Sequence, residues 1–180
     1  MSKKISRSNI IISSALIVSI ILASIGMIYK ADTLISIWVP VGISLAFACA
    51  TLLPGLRIWG RVCSDSGKWV AGVLHTFVAG SIIFFLLLFV NYKGADFAKG
   101  EKMEATVENK YTKEHTSGGG RRHRNRSSYT TWHIRLRLPD GRAVTYEISR
   151  ESYYRLRYGS KISVNVARGT FAWEVMKLDN

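Results

Sequence analysis

The sequence predicts an α-helical membrane domain of three transmembrane helices followed by a small all-β barrel, and three observations carry that reading. Residues 8–29, 33–56 and 69–92 hold no Asp, Glu, Lys or Arg. Nine such side chains fall in residues 1–92 and 28 in residues 93–180, so one half suits lipid and the other water. The hydrophobic period then changes from helical to two beyond residue 102.

A helical span needs about 20 apolar residues to cross roughly 30 Å of hydrocarbon. The three runs place helices at about 9–28, 34–53 and 69–92, so residues 1–92 form the membrane domain. Only a short connection separates the first two, which makes them an antiparallel hairpin. Lys3, Lys4 and Arg7 precede the first run as they would in a signal peptide. Its apolar core exceeds the roughly 7–15 residues of a signal sequence, so a retained anchor is expected. Pro40 is expected to kink the second span.

Small residues recur every fourth position in each run: Ala15, Ser19 and Ala23; Gly42, Ala46 and Ala50; Gly72, Thr76 and Gly80. Lipid gives helices little hydrophobic reason to associate, so close backbone approach matters, and such stripes permit it. They point to a packed bundle, formed within one chain or between chains. His75 is the one ionisable group well inside a span. It has no intramembrane charge to pair with, and a structural hydrogen bond is expected of it. Cys49 and Cys63 both lie in or beside the membrane half, so no disulfide framework or thiolate metal site can form in the other half.

Basic flanks set the expected orientation. Lys3, Lys4 and Arg7 precede the first span, and Arg57, Arg61 and Lys68 fill the connection before the third. Only Lys30 lies between the first two spans. The N-terminus is therefore expected in the cytoplasm. Three crossings put residues 93–180 outside, in the periplasm of an inner-membrane protein.

Residues 93–102 read as a linker, and residues 103–180 as a basic β-domain. From Thr131 to Leu138 the alternation is unbroken, with Trp132, Ile134, Leu136 and Leu138 on one face and Thr131, His133, Arg135 and Arg137 on the other. Pro139-Asp140-Gly141 marks a turn, and Val144, Tyr146 and Ile148 continue the inward face of a hairpin. Further strands are expected over Met103–Tyr111, through Ile162, Val164 and Val166, and through Phe171, Trp173 and Val175. Ser149 is placed to cap a short helix that Gly159 ends. About five short strands with one short helix point to an OB- or SH3-like barrel. Trp132, Trp173, Phe171 and Tyr146 are expected at its centre.

The run Glu104-Ala105-Thr106-Val107, the strand ending in Asp140-Gly141-Arg142, the Tyr146 strand and Tyr158-Gly159-Ser160-Lys161-Ile162-Ser163-Val164 share a rhythm. Over roughly residues 100–170 it resembles a family of bacterial membrane proteins in which helices anchor a small extracytoplasmic β-barrel. The resemblance implies that architecture and no activity.

Net charge is +13. Such a balance points to an anionic partner. The candidate contact is residues 112–128, read as a flexible loop in which Gly118–Gly120 precede Arg121, Arg122, Arg124 and Arg126. Guanidinium forks suit carboxylate and phosphate oxygens. Arg135 and Arg137 extend the basic surface, as do Arg155 and Arg157. Outward orientation argues against nucleic acid, and Trp and Tyr are expected to alternate into the core rather than form an exposed stacking row. Membrane lipids and an acidic protein surface remain as partners, with a homo-oligomer or a larger membrane complex as the assembly.

No catalytic constellation is legible. His115, His123 and His133 lack ligand spacing, no Gly-x-Ser-x-Gly occurs, and Gly118–Gly120 lacks the lysine of a phosphate-binding loop. No enzyme activity, cofactor or metal is expected. The expectation is a binding protein, of which a toxin-immunity protein is one specific form and an accessory subunit of a membrane complex another.

Overall fold

The computed structural model describes residues 7–63, 67–117 and 127–178. Two compact units divide the chain: one holds the residues up to Ala95 together with Arg168–Val175, the other Asp96–Ala167 with the residues from Met176 onward.

The first unit contains α1 (Arg7–Asp32), α2 (Trp38–Ala50), α3 (Leu52–Val62) and α4 (Gly67–Lys93). α1 and α4 are each long and apolar enough to cross a membrane. The second expected span differs from the sequence reading. It is a broken pair, α2 and α3, bent by 71° at Thr51, and Leu34–Ile37 precede the helix. Proline explains both departures. Pro40 lies in the first turn of α2, where its missing N–H leaves no bond unmade, so it opens the helix rather than kinking it. Pro54 is the breaker: it cannot donate to the Ala50 carbonyl, and its ring clashes there.

α4 is the hub, packing against each of α1, α2 and α3. α1 runs parallel to it. Near their starts Ile12, Val70, Ala71 and Leu74 share one cluster, and near their ends Tyr29 meets Phe85, Phe89 and Tyr92. Gly26 allows the approach, since a β-carbon there would lie 2.8 Å from the Phe84 ring. α1 leaves Ile10, Ile11, Leu16, Ile17, Val18, Ile20 and Ile21 exposed, far more apolar surface than a water-soluble helix presents.

Arg168–Val175 is clasped onto the ends of α1 and α4 within this unit. The Leu34 N–H donates to the Glu174 carbonyl at 2.8 Å, and the Thr170 hydroxyl to the Val90 carbonyl at 3.0 Å. The fully buried Asn91 amide accepts from the Phe171 N–H at 3.0 Å and donates to the Trp173 carbonyl at 3.1 Å.

The second unit carries β1 (Glu101–Ser117), β2 (Ser127–Arg137), β3 (Ala143–Ile148), α5 (Arg150–Arg155), β4 (Lys161–Arg168) and the larger part of β5 (Glu174–Leu178). They form a curled, antiparallel half-barrel in the order β3-β2-β1-β4-β5. Its core is Ala105, Val107, Ile134, Leu136, Leu138, Tyr146, Val164, Val166 and Met176. The aromatic filling differs from expectation. Tyr146 is buried, but Phe171 is 41% exposed and pairs with Trp173 at 5.4 Å in the turn before β5. The strand begins only at Glu174, so neither ring enters the half-barrel.

The two edge strands meet through one side chain: the Tyr146 hydroxyl donates to the Met176 carbonyl at 3.1 Å. Tyr146→Phe removes that bond and leaves a buried acceptor unpaired. A loss of about 1–2 kcal/mol is expected. Hydrogen exchange should report it as faster opening of β5, and unchanged exchange there would show that the seam does not depend on the hydroxyl.

Local chemistry explains the connections. Ser149 caps α5, its hydroxyl accepting from the Ser152 N–H at 3.2 Å. At the other end the Lys110 ammonium donates to the Leu156 carbonyl at 2.6 Å and lies 4.3 Å from the centre of the Tyr153 ring. Gly141 turns the β2–β3 hairpin with φ of +86°. There Asp140 accepts from the Arg142 side chain at 2.6 Å and from its N–H at 2.9 Å, which holds the carboxyl below its ordinary value. A depressed folded value means that this stabilisation is present above the usual carboxylate value of about 3.9. It is lost as pH falls through the lower, folded value.

Candidate functional site: a basic β-arm

β1 and β2 outrun their neighbours. β4 pairs with β1 only from Glu101 to Thr106, and β3 pairs with β2 only from Arg137 to Trp132. The β1–β2 ladder continues to Ser117↔Ser127. A two-stranded arm therefore projects from the half-barrel. The expected loop over 112–128 begins later than the sequence reading placed it, because Thr112–Ser117 and Ser127–Ser128 belong to the strands. Arg121, Arg122 and Arg124 with Arg126, the core of the anion-binding expectation, lie outside the described residues, as does His123.

One face of the arm carries a ladder of rings. Tyr111 stacks on His133 at 5.2 Å and His115 on Tyr129 at 4.9 Å, each across the strand pair. Thr131 sits between them, its hydroxyl 3.1 Å from His115 Nε2 and 2.9 Å from His133 Nε2. Such cross-strand pairs are what keeps a free ribbon extended. Tyr129 is 58% exposed. An exposed ring row therefore exists, contrary to the expectation that every Tyr alternates into the core. The alternation that turns Ile134, Leu136 and Leu138 inward puts Tyr129, Thr131 and His133 on the outward face of β2, and Tyr111 pairs with His133 on that face.

At the root of the arm Glu108 is a bulge, unpaired between Val107↔Leu136 and Asn109↔Arg135. The bulge aims its carboxylate at two arginines. Arg135 Nε lies 3.2 Å away, and Arg137 makes a shorter ion pair. Both predicted anion-binding arginines of β2 are thus tied to one internal acid. Elsewhere Lys161 pairs with Glu104 at 2.7 Å, which raises the lysine above its ordinary value. Of the described cations on the arm, Lys113 lies opposite Thr131, with its ammonium 5.7 Å from the Tyr111 ring centre.

The helix stripes are placed differently from one another. Ser19 is buried and Ala15 and Ala23 are half-buried on α1. On α2 the buried row is Pro40, Ser44 and Ala48, whereas Gly42, Ala46 and Ala50 are exposed within this chain. On α4 Gly72, Thr76 and Gly80 line a groove. His75 is buried, with Nε2 hydrogen-bonded to the Thr51 hydroxyl at 3.1 Å, at the break between α2 and α3.

Among the described residues no group of three or more His, Cys, Asp or Glu is placed to hold a metal ion. A small hollow of about 310 Å³ beside α5 is lined by Glu147, Ser149, Ser152, Arg155 and apolar side chains. Compared with protein-family models, with curated proteins and with solved structures, the chain has no match in any of the three.

Proposed function

We propose that this chain is a non-enzymatic inner-membrane binding protein whose OB-like domain grips the acidic surface of a protein partner. The observation that carries the reading is the arm: a ribbon that outruns both neighbouring strands to Ser117↔Ser127, with four arginines in the sequence between those two residues. Several features support an OB-like assignment. The strand order is that of an OB barrel, a short helix separates β3 from β4, and Tyr146 joins the seam between β3 and β5. In OB folds the connection between the first two strands is a ligand-binding element, and here the sequence between β1 and β2 holds the four arginines.

Helix geometry supports the membrane reading and its orientation. α1 and α4 are parallel. Arg7, Arg57, Arg61 and Lys68 gather where the helices start, the end that basic flanks assign to the cytoplasm. The β-domain then faces the periplasm, where a toxin-immunity role is one form the partner could take. The exposed Gly42, Ala46 and Ala50 favour the second reading, an accessory subunit that docks through α2 in a larger complex or in a homo-oligomer.

Binding of a fluorescent Glu-rich peptide to the purified full chain tests the arm. Changing Arg121, Arg122, Arg124 and Arg126 together to Ser is expected to weaken it at least tenfold, and to flatten its salt dependence. Equal binding by both proteins overturns the reading. Alkaline phosphatase and green fluorescent protein, fused separately after Asn180, test the side. Active phosphatase with a dark fluorescent fusion is expected. The reverse puts the arm in the cytoplasm, where its ring row and arginines fit single-stranded nucleic acid better than protein.

A further inference from the structure

The groove on α4 has walls from α1 on one side and α2 with α3 on the other, and measures about 830 Å³. That is within the roughly 300–1,000 Å³ of small-molecule sites. Gly72, Thr76 and Gly80 form its floor, and a β-carbon at Gly80 would meet nothing within 4 Å. Gly80 therefore opens space instead of closing a helix contact, whereas a β-carbon at Gly72 would touch Leu56 and Leu52 at 3.7 and 3.9 Å. Its walls are apolar: Met27 and Ile37, Val41 and Leu45, Leu52 and Leu56. Three hydroxyls border it, those of Ser44, Thr76 and Ser81, and two are spent on their own helices, Ser44 on the Pro40 carbonyl and Thr76 on the Gly72 carbonyl. One charge lines the groove, Lys68 at the start of α4, next to Trp69, which is 79% exposed.

We infer that this groove is a binding site for an anionic phospholipid, with an acyl chain along Gly72–Gly80 and the phosphate at Lys68. An apolar channel with one cation at its mouth matches a molecule with a long apolar tail and one anionic head. The surroundings of the mouth strengthen the match. Arg57 and Arg61, both exposed on α3, share that end of the unit, and no described acid lies there. Basic pockets between helices on the cytoplasmic side are the usual receptors for anionic headgroups. Trp69 has the amphipathic ring that settles at headgroup depth. A second copy of this chain fits worse, because it brings the same cations to the same end.

The inference rests on the membrane reading above, and the two fail separately. Release of the chain from membranes by alkaline carbonate would sink the membrane reading. The site itself is tested by native mass spectrometry of the full chain in detergent, titrated with phosphatidylglycerol and with phosphatidylcholine of the same chains. Phosphatidylglycerol is expected to bind at least tenfold more tightly. Lys68→Gln should reduce that preference to below threefold. Gly80→Leu, which fills the floor, should abolish binding of both lipids. Leu45→Trp, on an exposed wall, gives a second blockade should Gly80→Leu not fold. Equal binding of the two lipids, or undiminished binding by Leu45→Trp, overturns the site. So does a dimer that either blocking variant dissociates, which would give the groove to a second copy.

Discussion

Asn91→Leu is expected to destabilise the helical unit by about 3 kcal/mol. Leucine keeps the branched shape of asparagine but puts two bulkier methyls where the amide oxygen and nitrogen were, so some overpacking joins the loss of polarity. Asn91 is fully buried and uses both ends of its amide on the backbone of one turn. Removing it strands the Phe171 N–H and takes one of two donors from the Trp173 carbonyl, which keeps the Gly169 N–H at 3.0 Å; an orphaned donor costs about 1–3 kcal/mol. The remaining bonds, from Thr170 to the Val90 carbonyl and from Leu34 to the Glu174 carbonyl, do not replace them. In detergent the melting midpoint should fall by roughly 6–12 °C. Gly169→Ala probes the same clasp from the other side, because a β-carbon at Gly169 would overlap the Asn91 carbonyl and side chain. Each change releases the turn, so the pair should cost less than the two singles added. A midpoint within about 1 °C of the parent for Asn91→Leu would show that the clasp contributes nothing.

That clasp marks the limit of what the sequence made legible. The apolar runs and the alternation of β2 and β3 were readable because a buried face imposes its period on the chain. Ser149 and Gly159 were readable as local rules, the first a cap and the second a positive φ of +75°. Asn91 was not, since a polar residue at the end of an apolar run reads as an ordinary boundary. Its partners lie some 80 residues away and are backbone atoms, which carry no sequence signature. Phe171 and Trp173 misled for the same reason. Their spacing fits a strand, but the turn around Ala172, whose φ is +59°, takes them out of one. In the sequence between β1 and β2, Arg121, Arg122, Arg124 and Arg126 stood out by composition. The ladder of Tyr111, His133, Thr131, His115 and Tyr129 did not, because it appears only once the β1–β2 register is known. Glu108 changes the meaning of Arg135 and Arg137 by the same route, through a bulge that no residue type announces.

The second span offers the other large effect, at Gly55. Hydropathy sees a continuous apolar run there, whereas Pro54 ends α2 and the chain turns by 71°. Against that turn lies His75, its ring held by Thr51. A β-carbon at Gly55 would overlap the ring, which is planar and rigid and so has no flexible end to yield. Two effects then compete in Gly55→Ala. Helix propensity favours alanine by about 1 kcal/mol. Overpacking against a locked ring costs about 1–3 kcal/mol and breaks the Thr51 bond as the ring moves, which adds about 1 kcal/mol. Overpacking should win, and Gly55→Ala should lose about 1–3 kcal/mol. Gly55→Leu should lose more. The decisive comparison is made with His75→Ala in the background, because removing the ring removes the clash and leaves propensity alone. There, Gly55→Ala should stabilise the protein, so the same substitution changes sign between the two backgrounds. Thermal melts of the four proteins in one detergent measure that cycle directly. If Gly55→Ala raises the midpoint with His75 in place, the ring is not the wedge in the bend, and the break rests on Pro54 alone.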